Sequence, residues 1–210
     1  MKRSHDVRPS ADEALARLMD GNRRFLEGEV SRGAFQRETL AELAKAQRPY
    51  ATVLGCSDSR VAPELIFDAT LGELFVVRVA GNVLSPEIAG SLQYAGSYLE
   101  TPLFVVLGHE GCGAISAALA TKHQGEQFRS RVQLLLASIL PGLPDLDAQL
   151  SPEDQLSRAV ESNVQWTVRR IFDSPEGQVR MAEGGTKIVG AVYEIETGRV
   201  RFLPPVEFKA

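Results

Sequence analysis

Three residues whose side chains bind soft metal ions stand at two places in the chain. Cys56 lies in Gly-Cys-Ser-Asp-Ser-Arg, and His109 and Cys112 lie three residues apart in Gly-His-Glu-Gly-Cys-Gly. Two thiolates and one imidazole suit Zn²⁺, and a set of three leaves one of its four tetrahedral positions open. Because structural zinc sites use four protein ligands, the incomplete set predicts a zinc ion that takes part in chemistry.

The glycines around His109 and Cys112 predict a turn that enters a helix, with both side chains on one side of the backbone. A helix N-terminus stabilises negative charge, so we expect it to lower the pKa of the Cys112 thiol and to favour the thiolate that a metal requires.

Asp58 and Arg60 follow the first cysteine closely. If the chain stays extended past Cys56, residues 56, 58 and 60 face the same side, whereas a turn there would remove this argument. Two roles are open to Asp58. It takes the fourth position on zinc itself, which closes the site, or it accepts a hydrogen bond from bound water while Arg60 keeps it ionised.

The elements that must position these residues follow from apolar periodicity and from helix start and stop signals. Ser10 and Glu13 form a capping box. It opens an amphipathic helix to about residue 27, with a stripe of Leu15, Leu18, Asn22, Phe25 and Leu26. Further helices are predicted over 37–46, from Ser85 to 99 or 100, and from Cys112 to about 182 with a break at 141–144. Strands are predicted over 50–55, 74–78, 103–107, 187–194 and 200–203.

Alternating strands and helices predict an α/β fold with a mostly parallel central sheet, an antiparallel edge and helices on both faces. In such sheets ligands gather at the carboxyl ends of strands. Cys56 follows one predicted strand directly and His109 follows another by two residues, so we expect them to meet. We predict a single domain over 1–210, made of an N-terminal helical arm (1–46) and a zinc-binding α/β core (47–210).

Charge and composition exclude several classes of partner. The net charge of −4 offers no basic surface for a phosphate backbone, so we expect no nucleic acid partner. We find no apolar run of about 18 residues and therefore expect no membrane partner. Two cysteines are too few for a disulfide scaffold, so we expect a soluble cytoplasmic protein.

Ordered motifs along nearly the whole chain resemble the β-class carbonic anhydrases, with a plant-type active-site pattern. They are Cys-Ser-Asp-Ser-Arg-Val-x-Pro-Glu at 56–64, Arg-x-Ala-Gly-Asn at 78–82, Ser-Leu-Gln-Tyr-Ala at 91–95, Gly-His-x-x-Cys-Gly at 108–113 and Glu-Ser-Asn-Val at 161–164. The resemblance implies zinc-dependent, reversible hydration of CO₂ to bicarbonate and a proton.

The resemblance also implies roles for individual residues. Cys56, His109 and Cys112 would hold one Zn²⁺ per subunit, with Asp58 a ligand only in a closed state and otherwise the catalytic partner of Arg60. Substrate-binding roles are implied for Gln47, Phe75, Tyr94 and Gly113. The family implies a homodimer or a higher homo-oligomer, with N-terminal helices packed on the partner and active sites at the interface.

The sequence departs from the family pattern at a few positions. Val53 stands where members that hold a regulatory bicarbonate have tryptophan, so we expect Asp58 to rest on Arg60 at neutral pH. Val79 replaces a common asparagine, and Glu110 replaces a small hydroxyl residue. Tyr98 stands where some plant members have a histidine that is proposed to relay protons. Two alternatives stay open, namely a hydrolase of CS₂ or COS on the same scaffold and a catalytically silent zinc-binding regulatory homologue.

Overall fold

The computed structural model describes residues 8–30, 37–145, 147 and 149–206. Its strands are β1 (Ala51–Gly55), β2 (Leu74–Arg78), β3 (Leu103–His109), β4 (Lys187–Tyr193) and β5 (Val200–Phe202). They form one sheet in the order β2-β1-β3-β4-β5. Neighbouring strands pair in parallel except β4 and β5, which are antiparallel. The predicted α/β fold with an antiparallel edge is therefore confirmed.

Eight helices are present among the described residues: α1 (Ala11–Glu27), α2 (Arg37–Leu43), α3 (Pro63–Ile66), α4 (Pro86–Ser97), α5 (Gly113–Gln124), α6 (Ser130–Ile139), α7 (Pro152–Asp173) and α8 (Pro175–Glu183). The helical region predicted from Cys112 to about 182 breaks not only near 141–144 but also at 125–129, between α5 and α6, and at Ser174, between α7 and α8. Smaller details differ as well. α2 ends at Leu43, three residues early, and α3 was not predicted, because four residues are too few to show a helical period. The ends of the predicted domain, 1–7 and 207–210, lie outside the described residues.

The two central strands, β1 and β3, are buried along their whole length. Their alternate side chains enter two separate apolar clusters. Leu54 and Val106 pack with residues of α5, α6 and α7 on one face, while Val53 and Val105 pack with residues of α1 and α3 on the other. Burial on both faces explains why these strands read as continuous apolar runs in the sequence.

Helix α1 packs on its own chain. Its predicted capping box is present, and Leu18 is fully buried against the sheet. Asn22 is buried as well, because its side-chain Nδ2 donates to the carbonyl oxygens of Ile66 (3.1 Å) and Gly198 (3.0 Å), and its Oδ1 accepts from the amide of Val200 (2.9 Å). The expectation that this apolar stripe packs on a partner is therefore wrong for Leu18 and Asn22.

The order of the strands creates a crevice at one edge of the sheet. The chain passes from β1 to β2 on one side and then to β3 on the other side of β1. In open α/β sheets, the carboxyl ends of strands flanking such a reversal form the ligand site. These are the ends that carry Cys56 and His109. Within the described part of the chain, no helix combines the length and the apolar character needed to span a membrane.

Candidate metal centre

The two cysteines and the histidine meet at this crevice. Cys56 directly follows β1, and Cys112 is the residue before α5. His109 is the last residue of β3 instead of lying two residues beyond it, because its backbone still pairs with Tyr193 of β4. All three are buried, and their ligand atoms lie within 4.8 Å of one another. The predicted convergence of three metal-binding side chains is confirmed.

Hydrogen bonds of the His109 ring show which nitrogen is available. Nδ1 donates to the carbonyl oxygen of Glu110 (2.8 Å), whose own amide donates to the carbonyl oxygen of Tyr193 (3.0 Å). The other nitrogen, Nε2, is buried and has no hydrogen-bond partner among the residues that the structure describes. A histidine that ligates a metal through one nitrogen commonly donates its second N–H to a carbonyl in this way. The three donors therefore fit a zinc ion.

The two thiols influence one another strongly. A hydrogen bond from the Cys112 thiol lowers the pKa of Cys56, against the opposing effect of burial. The same bond, together with burial, raises the pKa of Cys112, although the amides of Ala114 and Ile115 at the start of α5 act to lower it. The helix N-terminus thus acts on the Cys112 pKa in the predicted direction, and the bond to the adjacent Cys56 opposes it.

Arg60 holds the carboxylate of Asp58. The guanidinium Nε and Nη2 donate to Oδ1 (2.9 Å) and Oδ2 (2.8 Å), and the Arg60 amide also donates to Oδ1 (3.0 Å). This hydrogen bonding lowers the pKa of Asp58 well below its usual range, although partial burial acts against it. Oδ2 lies 3.9 Å from His109 Nε2, so the ionised carboxylate borders the metal cluster.

The geometry behind this pair is a turn and not the extended chain considered from the sequence. The amide of Val61 donates to the carbonyl of Asp58 (3.0 Å), which closes a turn around Arg60. The face-sharing argument for residues 56, 58 and 60 therefore fails. The two side chains meet all the same, because an aspartate at the first position of a turn accepts the backbone amide two residues later.

Two further residues, Arg78 and Gly81, hold the loop that contains Cys56. Both lie in a sequence motif, but the sequence did not indicate a role for them. Arg78, at the end of β2, donates from Nε to the carbonyl of Cys56 (3.0 Å) and from Nη2 to that of Asp58 (2.7 Å). The amide of Gly81 donates to the Cys56 sulfur (3.4 Å). Both residues belong to the Arg-x-Ala-Gly-Asn motif at 78–82, and this motif was the only sign in the sequence that they support the site.

Comparisons with known proteins agree with this arrangement. A sequence model of the carbonic anhydrase family matches residues 51–200. A carbonic anhydrase of Mycolicibacterium smegmatis is 39% identical over 187 residues, which cover 87% of this chain and 88% of that protein. Carbonic anhydrase 2 of Mycobacterium tuberculosis is 39% identical over 186 residues, covering 87% of each chain. The Coccomyxa beta-carbonic anhydrase, solved in complex with acetazolamide, superposes with a TM-score of 0.72 at 29% identity, covering 90% of this chain and 86% of that one.

This chain belongs to the β-carbonic anhydrase family. Like its relatives, it is a carbonic anhydrase and therefore an enzyme.

The substrate-binding residues implied by the β-carbonic anhydrase pattern fall into two groups. Gly113 follows Cys112 directly and lies beside the cluster. Phe75 pairs in register with Thr52, four residues before Cys56, so it lies about 13 Å away along the strand direction. Tyr94 packs near Phe75, with 6.2 Å between ring centroids, and Gln47 is exposed ahead of β1. Within one chain, Phe75 and Tyr94 lie away from the metal cluster, and Gln47 precedes the end of β1 that is opposite to Cys56.

The departures from the β-carbonic anhydrase pattern also have definite surroundings. Val53 is fully buried in the sheet, and Val79 packs against the larger apolar cluster. Glu110 is exposed beside His109. Tyr98 is 76% exposed and stacks on Tyr94, with 5.4 Å between ring centroids. Tyr98 thus extends an aromatic row on the surface.

Proposed function

We propose that this chain catalyses the reversible, zinc-dependent hydration of CO₂ to bicarbonate and a proton, with one zinc ion per subunit. The observation that carries the proposal is the buried cluster of Cys56, His109 and Cys112, whose three ligand atoms lie within 4.8 Å. Asp58 stands beside this cluster, held by Arg60. Three ligands and a neighbouring carboxylate suit an open, working zinc site better than a structural one.

The chain's own residues have distinct roles in this mechanism. Cys56, His109 and Cys112 hold the ion, which when bound makes a nucleophile of water near neutral pH. Asp58 accepts the hydrogen bond that orients this water. It can do so because Arg60 keeps it ionised and fixes its two oxygens. Oδ2 accepts a single bond from Arg60 and keeps a lone pair for this water, whereas Asp58 would become a zinc ligand only in a closed state in which Arg60 releases it.

We further propose that the working unit is a homodimer or a higher homo-oligomer in which Gln47, Phe75 and Tyr94 line the partner's site. Two observations support this. Phe75 and Tyr94 lie away from the metal cluster of their own chain. In addition, three apolar side chains in this region are exposed to solvent: Leu71, just before β2, by 55%, Tyr94 by 45% and Tyr98 by 76%. Adjacent exposed apolar groups of this size indicate a protein contact surface.

The cellular setting and the domain organisation belong to the same proposal. Both cysteines are free, which suits a reducing compartment, and we propose the cytoplasm. The arm and the core are proposed to act as one domain, because Leu18 and Asn22 of α1 are buried against the sheet.

Stopped-flow measurement of CO₂ hydration, run beside sulfide release from COS and CS₂, tests the function. We expect rapid CO₂ hydration by zinc-loaded protein, loss of it after chelation, and recovery when zinc is restored. The Cys112→Ser variant is expected to be inactive toward CO₂. Sulfide release that exceeds CO₂ hydration would favour the hydrolase alternative, and zinc binding without either reaction would favour the regulatory one.

A further inference from the structure

We propose that Asn163 is a positioning residue for the metal centre: it holds the carbonyl oxygen of Gly81, and the N–H of that same residue donates to the sulfur of Cys56. This inference rests on the proposed zinc function and assigns a role in it to a residue whose hydrogen bond, within the described part of the chain, goes to Gly81 and not to a metal ligand. Asn163 lies on α7, distant in sequence from all three ligands.

The first step is the contact between α7 and the loop that follows β2. Asn163 is 1% exposed, and its side-chain Nδ2 donates to the carbonyl oxygen of Gly81 at 2.9 Å. A buried amide that makes such a bond is costly to replace by an apolar group, because the carbonyl then loses its partner. The bond therefore ties the loop to the helix.

The second step is the conformation of Gly81. Its φ of +70° is in the left-handed region, which side chains other than glycine rarely adopt. A Cβ at this position would stand 2.8 Å from Ile139 Cδ1 and 3.2 Å from Ala114 Cβ. In this conformation the Gly81 amide lies 3.4 Å from the Cys56 sulfur and donates to it. Asn163 holds the carbonyl side of the same residue and thereby keeps its amide directed at the sulfur.

The third step is the close packing of α7 on strand β3. Val164, the next residue, packs so closely on the sheet that a Cβ on Gly108 would lie 2.6 Å from its Cγ2. Gly108 immediately precedes His109, so the helix that carries Asn163 is seated against the strand that carries the histidine ligand. Through Gly81 and Gly108, α7 fixes two of the three metal ligands relative to one another.

An N–H that donates to a thiolate withdraws electron density from the sulfur and also orients it. Outer hydrogen bonds of this kind tune metal affinity, and their loss typically costs roughly 10–100-fold. Replacement of Asn163 should therefore change the metal–sulfur bond and not only the stability of the fold. That distinction makes the inference testable with a spectroscopic measurement.

The experiment uses full-length protein loaded with Co²⁺, whose sulfur-to-metal charge-transfer absorption reports on the thiolates. In Asn163→Ala we expect this band to move to lower energy, because Cys56 loses its donor and becomes the more electron-rich ligand. Competition with a chelator should show a zinc dissociation constant raised about tenfold or more. Asn163→Ser should show the same band shift and the same loss of zinc affinity, because its hydroxyl is too short to reach Gly81. It replaces the alanine variant in the experiment if that variant does not fold.

Val168→Ala is the matched control, since Val168 is 2% exposed on the same helix and has no bond to Gly81. It should lower the unfolding temperature while leaving the band and the zinc affinity as in the wild type. A band that stays in place in a folded Asn163 variant would overturn the inference. Failure of the wild type itself to bind Co²⁺ or Zn²⁺ would instead overturn the proposed function.

Discussion

Arg60 and Asp58 are joined by two parallel N–H···O bonds, of 2.9 and 2.8 Å, within a single backbone turn. Only one residue separates them, so little chain entropy is lost when they pair. The fork of the guanidinium matches both oxygens of the carboxylate, which fixes its plane as well as its charge. The pair is thus a preformed acceptor beside the metal cluster.

Asp58→Asn should reduce kcat/KM for CO₂ hydration by roughly 100-fold or more, because the amide can no longer serve as a charged acceptor that orients the attacking water. Stopped-flow kinetics and metal analysis on the same sample make the measurement. Zinc content should stay near one ion per chain, since Asp58 is held by Arg60 and is not needed as a ligand. The kcat/KM of Arg60→Lys should lie between those of the wild type and of Asp58→Asn, because lysine keeps the charge but loses the parallel bonds.

The control for this pair is Arg23→Gln, which removes an exposed arginine whose Nη1 lies 2.7 Å from Glu27. This exposed ion pair lies on α1 and involves neither Asp58 nor a metal ligand, so its loss should leave kcat/KM within about twofold of the wild type. Wild-type kinetics for Asp58→Asn would remove Asp58 from the mechanism.

The sequence was sufficient for features that depend on residue type and local order. Cys56 and His109 converge because both end parallel strands at the same edge, a consequence of topology that follows from the strand order. The Asp58–Arg60 pair depends on a turn, whereas the sequence argument assumed an extended chain. The turn was not predicted, because apolar patterns do not indicate where a chain turns within a polar segment.

Other features depended on contacts that no local pattern encodes. Asn22 shares the stripe of α1, yet its burial depends on carbonyls of Ile66 and Gly198, which are brought to it by the fold. Similarly, the hydrogen bond between Cys56 and Cys112 opposes the helix-terminus effect on the Cys112 pKa, and it exists only once the two sulfurs are adjacent. Such pairings require the tertiary structure.

Metal binding should stabilise the fold, because the cluster brings together β1, β3 and the start of α5. At a free zinc concentration about 100-fold above the dissociation constant, linkage predicts about 2.7 kcal/mol. For a chain of this size that corresponds to a Tm increase of roughly 5–10 °C, measured by calorimetry with and without chelator. His109→Ala should abolish the difference, and an unchanged Tm in the wild type would contradict a tightly held ion.

Stability at acidic pH should depend on Glu194. Its carboxylate accepts two bonds from the Arg199 guanidinium, both 2.9 Å, and one from the Thr197 hydroxyl (2.9 Å). These bonds, led by those of Arg199, hold its pKa below the ordinary value of 4.5. A carboxyl whose pKa is lower in the folded state adds stability that is fully present above its ordinary pKa. That stability is lost as the pH falls through the folded value.

Glu194→Gln should accordingly lower the free energy of unfolding by about 1 kcal/mol at pH 7 and by less at pH 3, in urea titrations at both values. Glu196→Gln, an exposed neighbour in the same turn, should give wild-type values throughout. A Glu194→Gln difference that is equal at the two pH values would show that the carboxylate charge is not what stabilises the turn.

Active sites shared between subunits can be tested by subunit mixing. Asp58→Ala removes the acceptor beside the metal cluster, and a double change of Phe75 and Tyr94 to alanine removes the aromatic pair, whose rings lie 6.2 Å apart in the wild type. Each homodimer should be nearly inactive. In a heterodimer, the site that retains Asp58 in one subunit meets the intact aromatic pair of the other, so one site is restored.

Co-expression of the two variants should therefore recover about a quarter of wild-type activity, because half of randomly paired dimers are mixed and each has one good site. The two chains carry different affinity tags, so the mixed dimer can be isolated and its activity per zinc measured directly. Aromatic residues that served their own chain would give no recovery in any mixture, because every chain would still carry one defect. Recovery thus requires that Phe75, which lies about four residues of strand away from Cys56, and Tyr94, which packs beside it, act across the interface.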